Sequence, residues 1–339
     1  MAGGNYRLAA VKFGQLGLNG YKDSYERSLS AWQNVLRRKT LVIDNNYIVG
    51  LGVDGAIYKF WADNDGSHFS KIDSTFKNAA YLFDVGQLEI AAILDDGTVC
   101  SVGYIPSTEL NSWKDVVYLA GGGTTIGGTT TIIGIRIDGS IVYDCSYSTA
   151  SAAKDEMSAW RDIVDVAVGT SFVVGVKADG TVVAVGTDMD QTGSGNKYHN
   201  TESDYYKDWT DIVQITTDGL SVYGLRKNGT VIKSEYVSDK EQKNVVYEWE
   251  DVKAIEGFNY SVIGIKSDGS IVTDASEEIS SVVTEWHDIV MVDGGNHEVI
   301  AVDKSGNIYF ARGKYSWDDY DEFDAAKWGK IKVPNELLK

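Results

Sequence analysis

The sequence predicts an all-β fold, a β-propeller of seven four-stranded blades, and three observations predict it. A Trp-led phrase recurs along the chain, a glycine-containing turn pair follows each copy, and the turns return at a period near 40 residues. That period suits a four-stranded blade and is wide of the helical and leucine-rich repeats.

The phrase is Trp, any residue, Asp or Asn, then Ile or Val. It stands at Trp32, Trp113, Trp160, Trp209, Trp249 and Trp286, with Phe76 in the remaining place. Each copy is expected to open the first strand of a blade. The turn pairs are Asp54-Gly55, Asp96-Gly97, Asp138-Gly139, Asp179-Gly180, Asn228-Gly229, Asp268-Gly269 and Ser305-Gly306. Such dipeptides suit two-residue hairpin turns, because Gly and Asn tolerate positive φ. Four residues before each pair sits Gly50, Ala92, Gly134, Gly175, Gly224, Gly264 or Ala301, always small, as crowded inner strands require.

The segments between are rich in Val, Ile, Tyr and Thr, with no capped helical stretch, so the whole chain reads as strand and turn. Residues 1–339 are read as one domain, with seven repeats over 32–312. Residues 5–17 look like the second half of a repeat and Trp328 to Val333 like the opening strand of another. Segments 1–31 and 313–339 are therefore expected to supply closing strands from both termini, meeting in one place, with an incomplete eighth blade as the rival reading.

Charge and composition narrow the function. The 339-residue chain carries 31 Lys plus Arg against 49 Asp plus Glu, a net charge of −18. Nucleic acid and anionic membrane are poor partners for it, and a basic protein is a better one. No apolar run of spanning length and no signal peptide is visible, yet a secreted or cell-surface setting is favoured over the cytoplasm. A monomer is expected. Cys100 and Cys145 are too few for a disulfide framework and read as buried free thiols.

The string W-x-D-I-V-x-V-A-x-G followed by V-G-V-K-x-D-G-T-V-V-A-V-G, residues 160–186, resembles the regulator of chromosome condensation repeat in its bacterial form. The resemblance covers about residues 32–312 and is strongest in blades four to seven. The histidine usual in the family's inner loop appears only at His297, and its Gly-Gln survives at Gln191, with Gln15 a second candidate. The family implies a propeller whose ring is closed by strands from both ends.

Loops joining strands one to two and three to four share one face. It is the variable face. Its inner loops place Tyr47, Glu89, Phe172, Leu220, Asn259, Tyr260 and His297 there, a different choice in each blade. Its outer loops add Asp188, Asp190, Trp317, Asp318 and Asp319. Variable aromatics on a rigid frame make a binding surface. The Gly-rich stretch Gly121 to Gly128 lacks the Lys-Ser/Thr and the helix of a phosphate cradle and reads as a long loop. The acidic residues do not have calcium-loop spacing, and the four histidines lack metal-ligand spacing, so neither metal nor cofactor is expected. No nucleophile and base pair stands in a known arrangement, and no enzymatic activity is expected.

The expected function is thus a non-catalytic protein-binding scaffold that uses the variable loop face. Two narrower readings come from resemblance alone. One is an enzyme inhibitor similar to the propeller-type β-lactamase inhibitory protein, and the other is nucleotide exchange on a small GTPase.

Overall fold

In the computed structural model the Trp-led phrase acts through its backbone. Its Asp lies in the left-handed region at Asp115, Asp162, Asp211, Asp251 and Asp288, with φ between 57° and 61°, and Asn78 does the same at 68°. Asp and Asn tolerate that conformation better than other side chains with a Cβ. The carbonyl of each then accepts the N–H of the first residue of its own blade's turn, as Ala178 to Asp162 at 2.8 Å and Lys304 to Asp288 at 3.0 Å. The strand begins just after this residue, so the Trp itself precedes the strand. The structure describes residues 6–44, 47–63, 66–72, 78–85, 90–102, 110–122, 131–145, 155–170, 172–186, 203–235, 243–295, 297–313, 323 and 325–338.

Seven antiparallel sheets follow in chain order. The first holds β1 (Leu41–Asp44), β2 (Tyr47–Leu51), β3 (Ile57–Asp63) and β4 (Gly66–Ile72), and the second β5 (Ala79–Asp84), β6 (Ile90–Leu94) and β7 (Val99–Val102). The third holds β8 (Val116–Gly122), β9 (Thr131–Arg136) and β10 (Ile141–Cys145), and the fourth β11 (Ile163–Val168), β12 (Phe172–Lys177) and β13 (Val182–Gly186). The fifth holds β14 (Ile212–Thr217), β15 (Val222–Arg226), β16 (Val231–Glu235) and β17 (Lys243–Val246). The sixth holds β18 (Val252–Phe258), β19 (Ser261–Lys266) and β20 (Ile271–Thr273), and the seventh β21 (Ile289–Gly294), β22 (Glu298–Asp303) and β23 (Ile308–Arg312).

Two sheets show the expected four strands among the described residues. In the sixth, the chain after β20 forms a helix, Glu277–Val283, instead of a fourth strand. It buries Ile279 and Val283 and starts with two glutamates that favour a helix N-terminus.

The turns differ in kind from the expectation. Leu94 donates to the carbonyl of Thr98 and Lys177 to that of Thr181, so the loops hold three residues, and only the glycine has positive φ. This is a turn whose last residue forms a glycine bulge. The Asp before it stays right-handed because its side chain is occupied: Asp179 Oδ1 accepts both the N–H (3.0 Å) and the hydroxyl (2.6 Å) of Thr181.

The chain divides into two compact units, residues 1–37 with 114–249, and residues 38–113 with 250–339. The first contains the third, fourth and fifth sheets and departs most from the sequence reading. Residues Tyr6–Leu18 form a helix, α1, and Ser24–Trp32 a second, α2. The described part of the expected closing segment, from Tyr6 on, is therefore helix and not strand. The segment YRLAAVKFGQLGL carries good helix formers in Arg7, Leu8, Ala9, Ala10, Lys12, Gln15, Leu16 and Leu18, against which Gly14 and Gly17 weigh. Its Ala10, Val11 and Gly14 share one helical face, which is buried. A Cβ on Gly14 would lie 2.0 Å from the Ile137 carbonyl oxygen, so only glycine permits this approach. Trp32, expected to open a strand, ends α2 fully buried and donates its indole N–H to Ile137 O at 2.9 Å.

In the second unit the C-terminal segment bonds to the edge of the first sheet without forming a named strand. Trp328 to Ile331 adds to the first sheet: Ile331 bridges Gly52, Val53 donates to Lys330 O at 3.0 Å, and Lys332 donates to Leu51 O at 2.9 Å. In the fourth sheet Ile163 pairs with Lys177, Asp165 with Val176 and Val166 with Gly175, with a bulge after Ile163. In the first sheet Ile331 takes the place of Ile163, and Leu41 takes that of Val166 opposite Gly50. The opening strand is composite, and the chain changes where the other sheets bulge. Trp328 completes the substitution. A Cβ on Gly50 would lie 2.9 Å from its ring, just as one on Gly175 meets Trp160 at 3.0 Å and one on Gly224 meets Trp209 at 2.7 Å.

Candidate functional site

The loops between first and second strands are built differently from the glycine turns at the other end of each sheet. In the first unit Asp218 organises the β14–β15 loop: Oδ1 accepts the N–H groups of Leu220 (2.9 Å) and Ser221 (2.7 Å), and Oδ2 accepts the Tyr223 hydroxyl (2.7 Å). Gly219 supplies φ 98°, and its carbonyl accepts the Thr170 N–H of the neighbouring β11–β12 loop at 2.9 Å. Leu220 is left 39% exposed at the tip.

In the second unit β18 and β19 are joined by two residues only, Phe258 pairing directly with Ser261. Asn259 (φ 37°) and Tyr260 (φ 62°) are both left-handed, as a primed two-residue turn demands. The geometry expected at the Asp-Gly pairs therefore occurs at the opposite end of the sheet. Asn259 Nδ2 lies 3.0 Å from Nδ1 of His297 in the β21–β22 loop, tying two neighbouring sheets together. His297 is fixed in turn, its N–H donating to Glu298 Oε2 and its carbonyl accepting from Gly313. Tyr260 projects from this clamp 68% exposed.

Leu220 stands in the β14–β15 loop, Asn259 and Tyr260 in the β18–β19 turn and His297 in the β21–β22 loop, each between the first and second strands of its own sheet. Tyr47 and Phe172 occupy the predicted chain positions but are buried, at 2% and 5% exposure. Tyr47 sits under the Lys59 ammonium, 4.5 Å from its ring centroid, and the Phe172 ring lies so close over Gly169 that a Cβ there would meet it at 2.3 Å. They anchor their loops. Glu89, Asp188, Asp190, Trp317, Asp318 and Asp319 lie outside the described residues, as do Phe76 and Gln191. Cys100 is free but half-buried, and burial pushes its thiol up to about 11.

Sequence reasoning missed a charge cluster on the first strands of the second unit. Lys39 Nζ lies 2.6 Å from Glu256 Oε2 and pairs with Asp293 Oδ1, while Asp293 Oδ2 accepts the Ile43 N–H at 2.7 Å. Burial pushes Glu256 up to about 7, Lys39 opposes the shift and Asp293 adds to it. Burial also disfavours the Lys39 cation, but the two carboxylates outweigh it and hold the ammonium charged well above its usual range. In the first unit Asp165 plays a related part, accepting the Ile215 N–H of the next sheet at 2.8 Å. The signal was a charge inside an apolar run, as in IVDVAV, VKAIEGF and IVMVDG. Among the described residues no group of three or more His, Cys, Asp or Glu is placed to hold a metal ion.

No family model matches the chain, and no curated protein matches it. Solved structures do. Human WBSCR16 aligns with a TM-score of 0.54 at 12% identity, over 79% of this chain and 87% of that one. Prp20p of Saccharomyces cerevisiae, a structure described with its binding properties to Gsp1p and histones, aligns at 0.40 and 12% identity over 80% and 70%. The CRINKLY WD40 ectodomain of the Arabidopsis thaliana receptor kinase ACR4 aligns at 0.45 and 13% identity over 88% and 99%. The likeness is one of fold.

Proposed function

We propose that the seven sheets are the blades of one propeller and that the chain is a non-catalytic scaffold binding a protein through the loops between first and second strands. The observation that carries this is Tyr260. A left-handed Tyr costs on the order of 1 kcal/mol that glycine would not, and this one leaves its ring in solvent. The Asn259–His297 clamp fixes the turn that carries the ring, and a large side chain with few rotamers loses little entropy on binding. Leu220, fixed by Asp218, is a second presented apolar side chain.

The partner expected is a basic protein. The chain carries −18 overall, and complementary charge speeds encounter more than it tightens the complex. The test is a photo-reactive phenylalanine analogue placed singly at 260, 220 and, as control, 227 beside a glycine turn. Cross-links to a common protein from 260 and 220 but not from 227 support the reading. Cross-links from 227 alone contradict it.

A further inference from the structure

The seven glycine turns are variations on one hydrogen-bonded motif. Asp96, Asp138, Asp179 and Asp268 each use Oδ1 to accept both the N–H and the hydroxyl of the Thr or Ser two residues on, at 2.9–3.0 Å and 2.6 Å. In the fifth sheet the same slot holds an amide. Asn228 Oδ1 accepts the Thr230 N–H at 3.1 Å and its hydroxyl at 2.8 Å. Asn228 is exposed and is followed by Gly229, whose missing side chain removes the steric bar to attack of its backbone nitrogen on the Asn carbonyl carbon.

We propose that Asn228 is a modification site at which the chain deamidates itself, Thr230 assisting and the fold accepting the aspartate product. In the first step the Gly229 nitrogen, losing its proton to solvent base, bonds to Asn228 Cγ to close a succinimide ring. The Cγ–Nδ2 bond breaks as Nδ2 takes a proton back from solvent, and ammonia leaves. Water then adds to one of the two ring carbonyls and opens the ring, giving aspartate or isoaspartate, with nothing oxidised or reduced.

Two donors already aimed at Oδ1 polarise Cγ and stabilise the negative charge that develops on that oxygen as the nitrogen attacks. Opposing this, the Gly229 N–H donates to Arg226 O at 2.9 Å, so the hairpin must fray before the nitrogen is free. The aspartate product would reproduce the turn of the second, third, fourth and sixth sheets and make the shorter, charge-assisted bonds seen there.

Asn19–Gly20 provides an internal comparison. Asn19 uses its Nδ2 to donate to Gln15 O at 2.7 Å, an arrangement that does not polarise the carbonyl in the same way. The experiment is a time course of the full folded chain in mildly alkaline buffer, digested and read by mass spectrometry at both sites, with isoaspartate quantified enzymatically. The expected result is conversion at Asn228 before Asn19. It should be slowed about threefold or more by Thr230→Val and preserved by Thr230→Ser, with Asn19 unaffected. In urea the effect of Thr230→Val disappears. The variant Asn228→Asp should unfold within about 2 °C of wild type, since the slot already suits aspartate. Equal rates at the two sites, or no effect of Thr230→Val in the folded chain, would overturn the proposal.

Discussion

The Ile331 N–H donates to the Gly306 carbonyl at 3.0 Å, the bond that Ile163 makes to Gly139, Ile212 to Gly180 and Ile289 to Gly269. In those three pairs the turn of one sheet is stitched to the opening of the next in sequence. Ile331 follows no internal repeat, yet it makes the same bond and then pairs with Gly52 of the first sheet. Residues 330–332 thus bond to the first sheet at the place where an opening residue stands in the others.

This makes Trp328 a structural residue. It is buried against Gly50, Phe323 and Phe69. Trp328→Ala should destabilise the protein by about 3–5 kcal/mol, the usual cost of emptying a buried Trp site, measured by chemical denaturation. A change below about 1 kcal/mol would show the segment to be an appendage.

The glycine turns separate backbone strain from crowding. Gly55 and Gly269 have φ of 76° and 86°, but a Cβ on Gly55 meets nothing within 4 Å, whereas one on Gly269 lies 2.8 Å from the Asp288 Cα. Gly55→Ala should cost about 1 kcal/mol from conformation alone. Gly269→Ala should cost about 1–3 kcal/mol more, because the stitched backbone must move. Equal losses for the two would mean that the turn and the next opening are not tightly packed.

Glu256 gives a pH dependence of definite sign. Its folded pKa is raised to about 7 from the ordinary 4.5, so the folded state holds this proton more tightly than the unfolded chain. Its contribution to stability is full below about 4.5 and is lost as pH rises through about 7. Relative to Glu256→Gln, the wild type should therefore lose on the order of 1–3 kcal/mol across that window. Parallel curves for the two proteins would show that the carboxylate is solvated.

Much of this fold was legible because the repeat is written in residues with backbone duties: the left-handed Asp of the Trp phrase, the turn glycine, and the small residue beneath the Trp ring. The N-terminal helices were not. The segment NYRLAAVKFGQLG has the apolar run and glycines of a repeat's second half, which hid both its helix formers and the close approach of Gly14 to the Ile137 carbonyl. Nor could chain position separate Tyr260 from Tyr47. Both stand at a loop between first and second strands, but Tyr47 is the first residue of its strand and faces Lys59 and Trp61, while Tyr260 is the turn itself. The Lys39–Glu256–Asp293 cluster joins residues more than 200 positions apart, a proximity that no local pattern encodes.

The affinity of the cross-linked partner for single variants, measured by calorimetry, tests the binding account most directly. Tyr260→Ala should weaken binding by about tenfold or more, as loss of an interface aromatic does, with thermal unfolding unchanged, whereas Tyr47→Ala and Phe172→Ala should mainly lower stability. Undiminished affinity in Tyr260→Ala, together with loss of binding in Lys227→Ala beside the Asn228-Gly229 turn, would place the partner on the opposite end of the sheets and contradict the account.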